Sequence, residues 1–111
     1  MQRALLTNLC KVVVVTMGAS GAWGLTAADQ IYQPAEVVSV VDSVGAGDCF
    51  FAGSIAALIC GGAIATLRGA APSQPTLARA LRRATRCAAI NVTRQGCQSP
   101  TWVEAASTGS L

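Results

Sequence analysis

Asp42-Ser43-Val44-Gly45-Ala46-Gly47-Asp48-Cys49-Phe50 is the stretch that decides how this 111-residue chain is read. A β-branched run, residues 37–41, leads into it, and an apolar helix-forming run follows. Two glycines and a carboxylate therefore fall at a strand-to-helix junction. The first amides of a helix have no internal acceptor and point outward, so such a junction is a ready anion site. Glycine lets the backbone approach a phosphate closely. An aspartate fixed beside a bound phosphate can take a proton from an incoming hydroxyl, and a phosphate cradle next to a base is the minimum apparatus of phosphoryl transfer. The stretch is not a Walker loop, because no G-K-[ST] follows. It is not G-x-G-x-x-G either, because Phe50 stands at the third glycine position.

The rest of the composition narrows the class. Hydrophobic residues make up 52% of the chain and charged residues 12%, too apolar for a disordered segment. The net charge of +3 comes partly from Arg79, Arg82, Arg83 and Arg86. On a helix these four span about a quarter-turn opposite Leu77, Ala80, Leu81, Ala84 and Ala88, which predicts a solvated face. No aromatic residue interleaves them, so base stacking has no support and no nucleic-acid partner is expected. The five cysteines are odd in number, form no C-x-x-C and have no histidine beside them, which argues against a disulfide framework or structural zinc. Reduced thiols among aliphatic residues point to the cytoplasm. A catalytic role for Cys49 lacks a histidine to activate it. Residues 1–9 hold one arginine and no long apolar core, unlike a secretory signal. Residues 50–64 are apolar but too short to span a bilayer, and no membrane partner is expected.

The pattern along the chain predicts an α/β domain. Residues 11–16, K-V-V-V-V-T, suggest a central strand of a parallel sheet covered on both faces. Residues 17–21 form a turn, and 22–27 and 30–34 short strands or a hairpin with Asp29 near its turn. Residues 36–41 predict another strand, 42–47 a loop, and 48–60 a helix buried all round. Residues 61–75 predict an exposed loop. Ser73 or Gln74 then caps a helix that has Pro75 in its first turn and runs to about Val92. A turn-rich segment follows, and residues 101–106 suggest a last short helix.

The segment D-S-V-G-A-G-D-C-F (42–50) resembles the signature D-T-x-G-A-G-D-x-F of the ribokinase-like, PfkB-type carbohydrate kinases. Upstream, T-M-G-A-S-G (16–21) resembles the family's T-L-G-x-x-G nucleotide loop. Downstream, A-A-I-N-V-T-R-Q-G (88–96) resembles its A-A-x-x-V-T-R-x-G segment. Three motifs in order are far more specific than one, and the similarity runs from about residue 11 to about 104. It implies a three-layer α/β/α fold, of which residues 1–111 correspond to a C-terminal nucleotide-binding and catalytic fragment.

The resemblance also implies roles. Asp48 matches the base that deprotonates the sugar hydroxyl. Gly45, Ala46 and Gly47, with the Asp48 amide, match the anion hole. Thr16, Gly18, Ala19, Ser20 and Gly21 match the nucleotide loop, and Thr85 a position near the adenine. Asp42 and the Val44 carbonyl match one half of a monovalent-cation site, and backbone positions of Asn91, Arg94 and Gly96 match the other. Ser99 or Pro100 falls where a last ligand is expected, although the order Gln98-Ser99-Pro100 departs from the pattern. The implied ligands are ATP, Mg2+, K+ and a sugar, with ribose favoured and adenosine, fructose or other polyols open. The lid, the sugar-binding motifs and the N-x-x-E segment of the family have no counterpart here, and a homodimer is expected only of a protein that includes the lid. Two readings follow: an ATP-dependent sugar kinase represented by its C-terminal part, or a non-catalytic remnant or nucleotide-binding module.

Overall fold

The computed structural model describes residues 3–6 and 10–106, so the expectation for residues 1–9 lies in part outside the described residues. Three strands, β1 (Val13–Thr16), β2 (Ala22–Leu25) and β3 (Gln30–Gln33), form an antiparallel sheet in the order β1-β2-β3. Val15 pairs with Trp23 and Trp23 with Tyr32, placing the Trp23 and Tyr32 rings 5.1 Å apart on one face. The hairpin expected over residues 22–34 is present. The parallel central strand expected over 11–16 is not. A parallel return needs a crossover of a dozen or more residues, whereas residues 17–21 supply a single tight turn closed by the Met17 amide on the Gly21 carbonyl at 2.8 Å. β1 therefore lies at the sheet edge, alternately half-buried and exposed.

Four helices follow: α1 (Ala46–Cys60), α2 (Ile64–Leu67), α3 (Gln74–Val92) and α4 (Trp102–Ala106). α2 sits inside the segment expected to be a bare loop, 61–75. α3 starts as its sequence predicts, with Ser73 accepting a hydrogen bond from the Thr76 amide at 3.4 Å and proline in the first turn. Its apolar stripe, Leu77, Ala80, Leu81 and Ala84, is buried against β2 and α1. Gly24 on β2 lies directly under Leu77 and Leu81, where any side chain would collide with them. Leu81 is 1% exposed. Leu81→Ala is therefore expected to cost about 3 kcal/mol, as a fully buried leucine with a rigid floor leaves a cavity; a denaturant titration measures it.

α1 is buried on one side only. Cys49, Phe50, Gly53 and Ala57 face inward, while Phe51 is 66% and Ile59 52% exposed. The expectation of burial all round fails because, among the described residues, α3 is the main element laid against α1. The close approach of these two helices uses Gly53, which touches Cys87 and the Ala84 backbone.

Residues 36–41 form no strand. The Val41 and Asp42 amides instead bond the Val92 carbonyl at the end of α3, at 2.7 and 3.1 Å. Glu36 pairs with Arg86 at 2.5 Å, and Val37 is fully exposed. A β-branched run becomes a strand only beside another strand, and none of the described strands reaches it.

The arginine face is likewise not simply solvated. Arg86 is 8% exposed through its pairing with Glu36. Arg83 donates to the Ala105 carbonyl at 3.1 Å and lies over the Trp102 ring, whereas Arg82 is exposed. Among the described residues no helix is long and apolar enough to cross a membrane.

Candidate functional site

The 42–48 turn is built by three reversals of backbone direction. The Asp42 carboxylate accepts the Val44 amide at 3.0 Å through Oδ1, closing a local turn. The Ala46 amide bonds the Ser43 carbonyl at 3.3 Å. Gly45 then takes φ 78°, ψ 4°, the left-handed conformation that only glycine adopts without strain, and becomes the N-cap of α1. A side chain there would also strike the Cys97 thiol, so the turn is packed against the 93–100 segment.

α1 begins at Ala46, two residues earlier than expected, which brings Asp48 into its first turn. The Cys49 amide is the first to join the ladder after the cap, on the Gly45 carbonyl at 2.9 Å. Among the described residues the Gly47 and Asp48 amides have no acceptor. Nothing stands within 4 Å of where a Gly47 side chain would begin, and Asp48 is exposed. Two free amides, open space and a carboxylate therefore share one helix start, where the helix dipole adds partial positive charge.

A second clamp ties this turn to the end of α3. Asp42 Oδ2 accepts the Gly96 amide at 3.1 Å, and Asn91 Nδ2 donates to the Val44 carbonyl at 2.8 Å. The residues expected as the two halves of a cation site, Asp42 and Val44 with Asn91 and Gly96, are thus brought together. Asn91 takes part through its side chain and not only its backbone, since its carbonyl accepts the Arg94 amide at 3.1 Å. Arg94 braces the loop from outside. Its guanidinium reaches the Gln98 and Ser99 carbonyls and pairs with Glu104. Ser99 Oγ lies 3.2 Å from the Cys49 thiol.

The two amides aimed at Asp42, Val44 first and then Gly96, hold its carboxyl below the ordinary aspartate range. The folded value lies below the unfolded one. The stabilisation is therefore present above the ordinary aspartate value and is lost as pH falls through the lower folded value. The protection factor of the Gly96 amide, its exchange corrected for the intrinsic pH dependence, is expected to fall only in that acid window as pH is lowered from 6; Asp42→Asn is expected to abolish the dependence.

The expected nucleotide loop is a turn of 3-10 helix, Gly18–Ser20, between β1 and β2. Gly18 and Gly21 have positive φ, and the Tyr32 hydroxyl donates to the Ser20 carbonyl at 2.7 Å. Gly18 and Ala19 keep amides without a partner among the described residues, and Thr16 stands at the exposed end of β1. This turn and the 45–48 turn share an anchor, because Ala22 and Phe50, each one or two residues beyond its turn, pack in the same core cluster. Thr85 is different. It is buried at 8% exposure in the middle of α3, and its hydroxyl has no partner among the described residues. Asp48 lines neither of two small cavities at the α1–α3 seam, of about 150 and 240 Å3. The Asn91 side chain and the Arg94–Glu104 brace carry no local signal in the sequence, since each is set by tertiary packing.

The pfkB family carbohydrate kinase model matches residues 1–104. The chain is 37% identical over 97 residues to ribokinase of Mus musculus, covering 86% of this chain and 27% of that protein. In structure it resembles aminoimidazole riboside kinase of Salmonella enterica, solved with aminoimidazole riboside and an ATP analogue. That likeness has a TM-score of 0.65 at 34% identity and covers 79% of this chain and 27% of the other. A double-mutant fructokinase of Vibrio cholerae, solved with fructose, ADP and potassium ion, gives a TM-score of 0.63 at 31% identity, covering 80% and 26%. The chain spans 16% to 29% of the length of its curated relatives, and its mixed sheet and helices are a fragment of the ribokinase-like fold. With one family model covering nearly every residue, the chain belongs to the pfkB family of carbohydrate kinases.

Proposed function

We propose that this chain is the ATP-handling part of a kinase that transfers a phosphoryl group to a sugar hydroxyl, with ribose the first candidate. The observation that carries this reading is the pair of unpartnered amides, Gly47 and Asp48, on a helix start that also presents a carboxylate. ATP supplies the group to be transferred. Gly45, Ala46 and Gly47 hold the backbone open around the terminal phosphate, and the amides of Gly47 and Asp48 meet the negative charge that spreads over its oxygens. Asp48 accepts the proton of the attacking hydroxyl. Thr16, Gly18, Ala19, Ser20 and Gly21 form the loop for the nucleotide, with the open amides of Gly18 and Ala19 facing it and Thr85 beneath the base. Mg2+ would arrive with the triphosphate, since no group of three acidic, cysteine or histidine side chains among the described residues is placed to hold a metal. The donors around Asp42 fit a monovalent cation such as K+. A carboxylate and the Val44 carbonyl lie there beside Asn91, whose buried Oδ1 has no partner among the described residues. Arg94 and Gly96 would complete the shell by backbone atoms.

The second reading is a module that binds nucleotide without turnover; the chain spans about a quarter of the length of these relatives. The sugar wall and a dimer contact would belong to the part of the fold beyond this stretch. Five free cysteines suit a reducing, cytoplasmic setting. The test is ATP consumption by the full chain against ribose, fructose and aminoimidazole riboside, with Mg2+ and K+ present. Transfer to one of them is the expected result; ATP binding without transfer to any sugar would leave the module.

A further inference from the structure

The end of α3 holds the phosphate-binding turn at three points. Val92 accepts the amides of Val41 and Asp42, and Asn91 Nδ2 donates to the Val44 carbonyl. The third contact stands apart from the other two. In an α-helix the amide of residue i bonds the carbonyl of residue i−4. For the Asp48 amide that carbonyl is Val44's. Left free, and with Gly45 swung from its left-handed into the helical conformation, it is the acceptor that would let α1 wind back and close the Asp48 amide. Here it is turned away to Asn91, 47 residues along the chain, and the ladder starts instead at the Cys49 amide.

Asn91 is 0% exposed, and its Oδ1 is buried without a hydrogen-bond partner among the described residues. A half-satisfied buried amide is a poor way to stabilise a fold, because an apolar side chain of the same shape leaves no stranded acceptor. Among the described residues its one hydrogen bond is to the Val44 carbonyl, through a donor that leucine at this position would lack.

We propose that the Asn91 side chain is a positioning residue for phosphate binding: by holding the Val44 carbonyl away from the helix axis, it keeps the Asp48 amide free to grip the ligand. The inference rests on the reading of the 45–48 turn as the phosphate site. Asn91 touches neither phosphate nor sugar; it acts through the peptide before Gly45. The left-handed Gly45 sets where the turn bends, and Asn91 sets which way the preceding carbonyl points.

The test uses two variants of the full chain. Asn91→Leu keeps the volume and removes the donor. Asn91→Asp keeps the shape and sets a second acceptor against the Val44 carbonyl. Three quantities are measured: hydrogen exchange at the Asp48 amide, ATP affinity by calorimetry, and the thermal midpoint. Asp48 exchange is expected to slow about tenfold in Asn91→Leu as the amide finds the Val44 carbonyl, and ATP to bind about tenfold more weakly in both variants, the loss of one directed hydrogen bond. The midpoint of Asn91→Leu is expected to stay at the wild-type value or rise. Unchanged Asp48 exchange in a folded variant overturns the assignment, whatever the affinity. If Asn91→Leu does not fold, an Asn91→Asp chain that binds ATP as the wild type does overturns it equally. A wild-type chain that binds no ATP, while exchange still slows in the variants, overturns the phosphate reading and leaves Asn91 as a clamp on a turn that binds nothing.

Discussion

Gly47→Val is expected to weaken ATP binding by about 100-fold or more, a loss of roughly 2.7 kcal/mol, while the protein stays folded. The separation of the two effects is what makes the variant informative. Gly47 lies inside α1, and its backbone is not in a left-handed region. Valine is a better helix former than glycine by a few tenths of a kcal/mol, and a side chain begun at Gly47 meets no atom within 4 Å. Nothing in the fold therefore resists the substitution. The branched side chain instead fills the space in front of the Gly47 and Asp48 amides, where a phosphate would lie. Isothermal titration with ATP beside a thermal melt measures both halves. An unchanged affinity would remove the phosphate from this turn.

The second large effect falls on turnover rather than binding. Asp48→Asn in the full chain is expected to lower turnover by about 10²- to 10⁴-fold, the span of a positioned general base, with ATP affinity within about threefold of wild type. Asp48 sits on the first turn of α1 and is exposed, so asparagine fits without loss of packing and only the proton acceptor is removed. A variant that turns over like wild type would move the base to another residue. A variant that loses affinity and turnover equally would assign Asp48 to binding. Together with Gly47→Val, this divides the proposed site into a part that holds and a part that reacts.

The local elements were legible because their causes are local. Ser73 and Pro75 announced the start of α3, the spacing of Leu77, Leu81 and Ala84 its buried face, and Asp29 the turn of the hairpin over 22–34. The 42–48 turn was legible for the same reason: aspartate closing on a nearby amide and glycine at the left-handed position are both encoded within four residues. What escaped were features that depend on distant partners. Residues 36–41 carry strand chemistry but end as coil, because the Val41 amide and the Glu36 carboxylate go to α3. Arg86 looked like a surface charge until Glu36, fifty residues away, closed on it. The run of valines at β1 foretold a sheet interior, while the shortness of the next turn made it an edge. Asn91 was marked by resemblance as a backbone position, and nothing in its neighbours announced that its side chain reaches Val44.

The exposed valines of residues 36–41 bear on how this stretch behaves in a tube. Val37, Val40 and Val41 are 102%, 65% and 63% exposed, with Phe51 at 66% close behind in sequence. Oily side chains on a coil that lacks a neighbouring strand, together with the unpaired side of β1, are the ingredients of intermolecular sheet growth. Solubility of the 111-residue polypeptide in isolation is therefore set less by its +3 charge than by those bare valines.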